Sequence, residues 1–496
     1  MTAEASSHLS IASQLQLLLP DGRVSTEPDK LAAAANPGPL QLPGQPPICI
    51  VKPANPDELQ AVIGFANESG LNLTVTSSTG VHRNGGIVSR GENVLIDLSH
   101  LRKIDLIDRR NRVCRIEPGV TYGQLLTELA EHNLTLPVPL APRSGKSVLA
   151  SLMDREPTTW PNKQWDSSDP VGSTEFFFGN GERFRSGAAG GPGTIEQQRG
   201  SGGAQKFSSG PSQTDFHRVV QGAQGTMGIL TWLTLRTELE PTLQETLLTG
   251  SERLEHLLPF VYAVQRGLLG EHALILNRTA AAILLAEDDL NVFDNLREAC
   301  PAYLLLQNSA GFERLPQERL AYHMQEMHEF AGNFNLHLHK RIGNISAADL
   351  LARATQPCGE IDWRDQLRGS SLSVFFLSTL DRMPAIHSIF VNTAGDCGIS
   401  EPEIGIYIQP IIQNHACHIE FILPFDPGSE SEMARMKKIE RQVVVKLIEE
   451  GAFFSRPYGS AAELVWEQNP ANYDLLKNIK SVFDPNRVLQ RGKWSL

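Results

Sequence analysis

No run of about 18 consecutive apolar residues occurs in the chain, so no helix is expected to cross a bilayer. The first eight residues lack both a basic opening and an apolar stretch, and no secretion signal is expected. Cysteine is scarce. The six thiols, at Cys49, Cys114, Cys300, Cys358, Cys397 and Cys417, include no C-x-x-C pair. A zinc ribbon or an iron–sulfur cluster therefore lacks its ligands, and scattered thiols suit a reducing, cytoplasmic setting. Positive charge is short as well. Lys and Arg number 44 against 56 Asp and Glu, the net charge is -12, and no basic run offsets it. That balance argues against a nucleic-acid partner. A chain of 496 residues exceeds what one core supports, so at least two domains are expected.

Along the chain, a short apolar helix over 11–19 precedes a Pro-rich linker, and Ile48 to Val51 reads as a strand. Asn55-Pro56-Asp57-Glu58 predicts a helix start, with Asn55 as cap, Pro56 in the first position and acids in the first turn. Further helices are expected over 121–132, 254–268, 317–330 and 431–450. Strands are expected at 113–116, 371–376 and, as one unbroken strand, 404–421. Residues 186–213 are rich in Gly, Ser and Gln. They read either as a mobile loop or as an insertion held by a partner.

The most informative segment is Val75-Thr76-Ser77-Ser78-Thr79-Gly80-Val81-His82-Arg83-Asn84-Gly85-Gly86. A β-branched run enters it and Val94 to Leu98 leaves it, so a strand runs into a small-residue loop and back into a strand. Small residues let several backbone N–H groups approach one anion, and pyrophosphate is the expected guest. Because a strand follows and not a helix, this is not the nicotinamide-type fingerprint. A second glycine cluster, Gly222-Ala223-Gln224-Gly225-Thr226-Met227-Gly228-Ile229, runs into another strand. Gly145-Lys146-Ser147 is not a nucleoside-triphosphate loop, since the required upstream glycine is Leu140 and Pro142 lies inside it.

Together with Phe483-Asp484-Pro485-Asn486 and Gly492-Lys493 near the end, these motifs in this order resemble the FAD-linked oxidases of the vanillyl-alcohol oxidase and p-cresol methylhydroxylase superfamily, which includes glycolate and D-lactate dehydrogenases. The resemblance covers roughly 46–240 and 430–496. It implies an α+β chain: a two-subdomain FAD-binding domain of the p-cresol methylhydroxylase type plus an α+β cap domain. On that pattern, 1–45 is an N-terminal helix and linker. Residues 46–118 and 119–240 are the two α/β halves of the FAD domain, 241–430 is the cap, and 431–496 returns to the FAD domain. The pyrophosphate positions fall on Ser77, Ser78, Thr79, Gly80, Val81, His82, Gly85 and Gly86. Flavin and adenine contacts fall on Ser147, Gly222, Gly225, Gly228 and Ile229. The chain reads Ser144-Gly145 where the superfamily often has a Gly-Gly pair, and Gln490-Arg491 where its tail usually has Asn-Pro.

Other residues carry further implications of the resemblance. His82 falls where relatives similar to berberine-bridge and nicotine oxidases bond a histidine to the flavin methyl group; otherwise it bonds phosphate or solvent. Arg456 lies in Phe454-Ser455-Arg456-Pro457-Tyr458, which resembles the Tyr-Arg segment that holds a phenolate, with Ser455 in place of that tyrosine. One arginine still suits a substrate carboxylate, or an acid within the fold. In a strand His418 and Glu420 share one face and His415 points to the other, so a metal site using both histidines needs a bulge. The lactate and glycolate branch carries hereabouts a His-rich strand that binds a divalent metal or abstracts a proton, but its Asp-Gly-Asn-x-His motif is absent. His418 is expected as the base for a hydroxyl proton, oriented by Glu420, with no metal. His337 and His339 share a strand face and either line the same pocket or face solvent.

The expectation is an FAD-dependent oxidoreductase taking a hydride from a small hydroxylated anion, a 2-hydroxy acid by preference. The alternatives are oxidation of a para-substituted phenol and a flavin-bearing electron-transfer subunit of a larger redox complex. The partners expected are a small-molecule substrate and an external electron acceptor or redox partner subunit, in a homo- or hetero-oligomer.

Overall fold

The computed structural model describes residues 3–35, 40, 45–80, 82–83, 91–163, 169–200, 204–210, 216–412 and 414–493. Val81, Gly85 and Gly86 of the expected pyrophosphate loop lie outside the described residues.

The first sheet contains β1 (Val24–Ser25), β2 (Cys49–Val51), β3 (Asn72–Thr76) and β4 (Asn93–Asp97) in the order β1-β2-β4-β3, with β2, β4 and β3 parallel. The helix Pro56–Ser69 makes the crossover from β2 to β3. Asn55 accepts the Glu58 amide at 2.9 Å, Pro56 occupies the first turn, and Gly70 ends the helix at φ 68°. That left-handed conformation suits a residue without Cβ. Leu59, Val62, Ile63 and Ala66 form the buried face.

The tail completes this sheet. The Leu73 amide donates to Val488 O at 2.7 Å, and the Gln490 amide to Leu73 O at 2.9 Å. Asp484 turns the chain into position by accepting the amides of Val488 (2.7 Å) and Leu489 (3.0 Å). Its charge is matched by Lys480 Nζ at 2.7 Å, which also donates to Thr226 O and Leu489 O. Both side chains are almost fully buried.

The second sheet is antiparallel: β5 (Ile104–Asp108), β6 (Val113–Ile116) and, beyond the short β7 (Leu134–Thr135), β8 (Val171–Phe177), β9 (Arg183–Arg185) and β10 (Ile229–Arg236), ordered β5-β6-β10-β8-β9. β7 pairs apart from it with β11 (Glu238–Leu239). The break between the first two sheets thus falls between Asp97 and Ile104 and not at residue 118: β5 and β6 form a hairpin whose free edge pairs with β10. The Gly/Ser-rich segment, in its described part, is neither a loose loop nor an insertion held by a partner. Ala189 and Ile195 pack on Trp232, Ser173 Oγ donates to Phe207 O at 2.8 Å, and Lys206 is paired with Asp108. The chain's own second sheet holds it.

The third sheet has six antiparallel strands: β12 (Leu243–Ser251), β13 (His272–Asn277), β14 (Tyr303–Gly311) and, past the small ribbon of β15 (Arg341–Ile342) and β16 (Ile345–Ser346), β17 (Ser370–Ser378), β18 (Gly405–Ile411) and β19 (Ala416–Phe425). Residues 404–421 are therefore a hairpin and not one strand. The chain reverses after Ile411, with Ile412 and Asn414 at positive φ. Helices cover both faces of this sheet. The helix Glu430–Glu449 belongs to this unit: its Met436, Ile439, Val443, Val444 and Leu447 join the same core as Phe376, Phe390 and Phe421. The return to the first sheet begins after it, with the helix Pro470–Phe483. The fold is α+β. Among the described residues no helix is long and apolar enough to cross a membrane.

Lys480→Met should unseat the tail. It leaves the buried Asp484 carboxylate unpaired, which costs about 3–5 kcal/mol. A lowered midpoint of thermal unfolding, read by circular dichroism, is the expected outcome.

Candidate active site

A cavity of about 300 Å³ lies where the three sheets meet. Its walls are the loop after β3, the segment around 139–157, the entry to β10, the tail at Gln490 and Lys493, and one face of the third sheet.

The period of two along β19 supplies that face. Cys417, Ile419, Phe421 and Leu423 enter the apolar core, so His418 and Glu420 point the other way, into the cavity. Ladder pairing brings Phe375 beside Glu420 from β17 and Tyr407 from β18. His418 Nε2 is 3.6 Å from Glu420 Oε2. Burial lowers the imidazole pKa to about 4, so His418 is neutral near neutral pH. Its Nδ1 is buried.

The principal partner of Glu420 is not His418 but Arg364, whose Nε and Nη2 each reach a carboxylate oxygen at 2.7 Å. Burial works against the Glu420 charge, but Arg364 and His418 outweigh it and hold the carboxyl well below its usual range. Arg364 Nη1 also meets Asp362 Oδ1 at 3.2 Å. Asp362 is shared with Arg83 of the flavin-side loop, 3.1 Å away. Burial opposes the Asp362 charge too, yet Arg83 and Arg364 bring its pKa to about 2. Arg83 goes on to Asp365 (3.1 Å) and to the hydroxyls of Ser371 (2.9 Å) and Ser373 (3.1 Å).

Arg456 stands apart from this chain of ion pairs. It is 9% exposed, its guanidinium lies 4.6 Å from the Phe375 ring centre, and it has no ion pair or hydrogen bond among the described residues. Two residues on, Tyr458 also lines the cavity and donates to Asp154 Oδ2 at 3.0 Å. Burial raises the Asp154 carboxyl above its usual range.

On the opposite wall are Ser77, Ser78, His82, Gly225, Gly228 and Ile229, all at the cavity. The amides of Ser77, Ser78 and Gly80 have no hydrogen bond among the described residues, whereas that of Thr79 is spent on Gly145 O at 3.0 Å. His82 Nε2 is 3.2 Å from Thr76 Oγ1, and burial, followed by Arg143, lowers its pKa to about 4. Arg143, Lys146 and Lys493 bring positive charge to the cavity. Burial lowers Lys493 to about 8.

Four of the expected cofactor residues support the wall and do not form it. Ser147 Oγ donates to Pro118 O and caps the helix Val148–Met153, while its amide donates to Ser78 Oγ at 3.0 Å. Thr79 is bound to Gly145. Gly80, at φ 76°, would place a Cβ 2.7 Å from Arg143 Nη1. Gly222 is packed on Arg155, and its amide bonds Met153 O at 2.7 Å. His415 sits on the exposed hairpin turn, away from the cavity. His337 and His339 are exposed around a separate hollow with His328. Among the described residues no three His, Cys, Asp or Glu side chains are gathered for a metal.

Sequence reasoning missed Arg364, Asp362, Asp154 and Tyr458. Tyr458 was legible: Arg456-Pro457-Tyr458 is extended through a proline, which puts residues two apart on one side. Asp362 and Arg364 carry no signal in a single sequence.

Residues 47–186 match the FAD binding domain family. D-2-hydroxyglutarate dehydrogenase of Stutzerimonas stutzeri (strain A1501) is 20% identical over 97% of this chain and 97% of its own length. The 4-cresol dehydrogenase [hydroxylating] flavoprotein subunit of Pseudomonas putida is 29% identical over 36% of this chain and 35% of its own. In fold, the chain is similar to p-cresol methylhydroxylase with substrate bound, with a TM-score of 0.81 at 16% identity, covering 100% of this chain and 98% of that one. The chain is an FAD-dependent oxidoreductase. Its fold is that of the p-cresol methylhydroxylase flavoprotein.

The residues present fit FAD. Unspent amides at Ser77 and Ser78 beside Arg143 and Lys493, with Lys146 paired to Glu156 behind them, are the donor set a diphosphate requires. Gly80→Ala should weaken FAD binding about tenfold, because a Cβ in the left-handed region costs roughly 1–2 kcal/mol. Fluorescence quenching on reconstitution of the apoprotein measures it.

Proposed function

We propose that this enzyme oxidises a small 2-hydroxy acid at the carbon bearing the hydroxyl. The observation that carries this reading is Arg456: a nearly buried guanidinium at the cavity with no hydrogen bond or contact-distance ion pair among the described residues, in the field of the buried Asp154 and Glu156. Such a group binds a carboxylate through two parallel hydrogen bonds. His418, neutral and on the facing strand, takes the hydroxyl proton as general base. Ser77, Ser78, Gly225 and Gly228 would hold FAD, which when bound would supply the two-electron acceptor for a hydride from the same carbon. The product is the 2-oxo acid. Phe375 and Tyr407 flank the pair and restrict water at the base. The full-length similarity to a D-2-hydroxyglutarate dehydrogenase supports the same substrate class.

Tyr458 favours a second reading, oxidation of a para-substituted phenol, since it lies with Arg456 at one cavity where a phenolate oxygen would be held. The relative described as a flavoprotein subunit supports a redox partner subunit as electron acceptor. Anaerobic titration of the FAD-loaded protein with D-lactate, glycolate, D-2-hydroxyglutarate and 4-cresol decides between substrates. A hydroxy acid should bleach the yellow flavin band. Bleaching by 4-cresol alone selects the second reading.

Arg456→Met should raise KM for the hydroxy acid about 10–100-fold, the equivalent of roughly 1.5–3 kcal/mol for a charge-assisted hydrogen bond, with kcat less affected. His418→Gln should lower kcat by about 10²–10⁴ with KM nearly unchanged. The base works unprotonated, so a pKa lowered to about 4 keeps kcat/KM level on the acid side and lets it fall only as pH approaches that value. An acid limb at the ordinary histidine value in the pH–rate profile contradicts the assignment.

A further inference from the structure

We propose that Arg364 is the resident counter-cation of the His418–Glu420 pair. Its guanidinium supplies, from within the chain, the positive charge that a divalent cation would otherwise bring to Glu420 and Asp362. The base role of His418 rests on the functional reading above; the occupancy of the cation position does not.

The argument is one of geometry and charge. His418 and Glu420 share a strand face and Asp362 lines the same cavity, which supplies donors of the kind a divalent ion takes, although in the present arrangement no three His, Cys, Asp or Glu side chains among the described residues are gathered for one. The space between them is taken. Arg364 contacts both oxygens of Glu420 at 2.7 Å and Oδ1 of Asp362 at 3.2 Å. Its planar group is braced 4.4 Å from the Trp363 ring centre. The fork engages both oxygens of Glu420 and sets a fixed positive charge against any metal that would approach them. A guanidinium also keeps its charge at any working pH and cannot be chelated away. The divalent metal that the resemblance to lactate and glycolate dehydrogenases brings to mind therefore does not fit this site, and the ground is the arginine already seated there. Held by Arg364, Glu420 stays ionised beside His418 yet is unavailable as a proton acceptor, and the imidazole remains the base.

The test begins with the native, FAD-loaded protein. After dialysis against a chelator, elemental analysis should find divalent metal far below one per chain, and the rate of flavin reduction should be unchanged. One retained divalent ion per chain, or a rate lost on chelation and restored by metal, overturns the proposal. The second arm uses Arg364→Ala and cobalt(II) alone as probe. With the guanidinium gone, Asp362, Glu420 and His418 should bind one equivalent and give a visible ligand-field band absent from wild type. Arg364→Lys, which keeps the charge, should show no band, and Glu420→Gln in the Arg364→Ala background should remove it. A folded Arg364→Ala protein with no band, or the same band in wild type, counts against the proposal. If Arg364→Ala does not fold, the native arm decides. Metal content and the cobalt band need no substrate, so their outcome is separate from failure of the hydroxy-acid reading.

Discussion

The run of charge from Arg83 through Asp362 and Arg364 to Glu420 is the constraint on which the rest of the site depends. It begins on the loop after β3, beside His82, and ends on β19, beside His418. Buried charges of this kind are tolerated only when every member is paired and hydrogen-bonded, because each isolated ion would lose several kcal/mol of hydration. Here the condition is met with little slack: Arg83 alone is divided among two carboxylates and two serine hydroxyls of the third sheet. A second seam runs parallel to it, where the Ala141 amide reaches Ala354 O and the Ser144 amide Cys358 O. Two seams fix the wall that meets the cofactor against the wall that meets the substrate.

Within the cavity the charges are sorted by task. Lysine and arginine at 143, 146 and 493 line the cavity with the small-residue loops, while Arg456, on the segment after the helix Glu430–Glu449, lies over Phe375 of the third sheet.

Much of this was legible in the sequence and some was not, for physical reasons. The helix at Asn55-Pro56 was readable because capping is local chemistry. The strands flanking the small-residue segment were readable because each is a β-branched run. His418 and Glu420 sharing a face followed from strand period alone, even though the surrounding 404–421 proved to be a hairpin; the reversal falls N-terminal to both and leaves their parity intact. The sheet break near residue 100 was misread because a hairpin's pairing partner, here β10, lies more than a hundred residues away and leaves no local mark. Arg364 and Asp362 were invisible for the same reason. Their meaning comes from what stands across the cavity, and nothing in Asp362-Trp363-Arg364-Asp365 states it.

The edge strand supplied by residues 488–490 has a consequence for how the protein is made. β3 leads into the small-residue loop, and its outer partner is supplied by residues 488–490, far along the chain. While the ribosome still holds that stretch, the first sheet has an open side and Lys480 and Asp484 have not met. The first sheet is therefore closed on that side only once translation has passed residue 490.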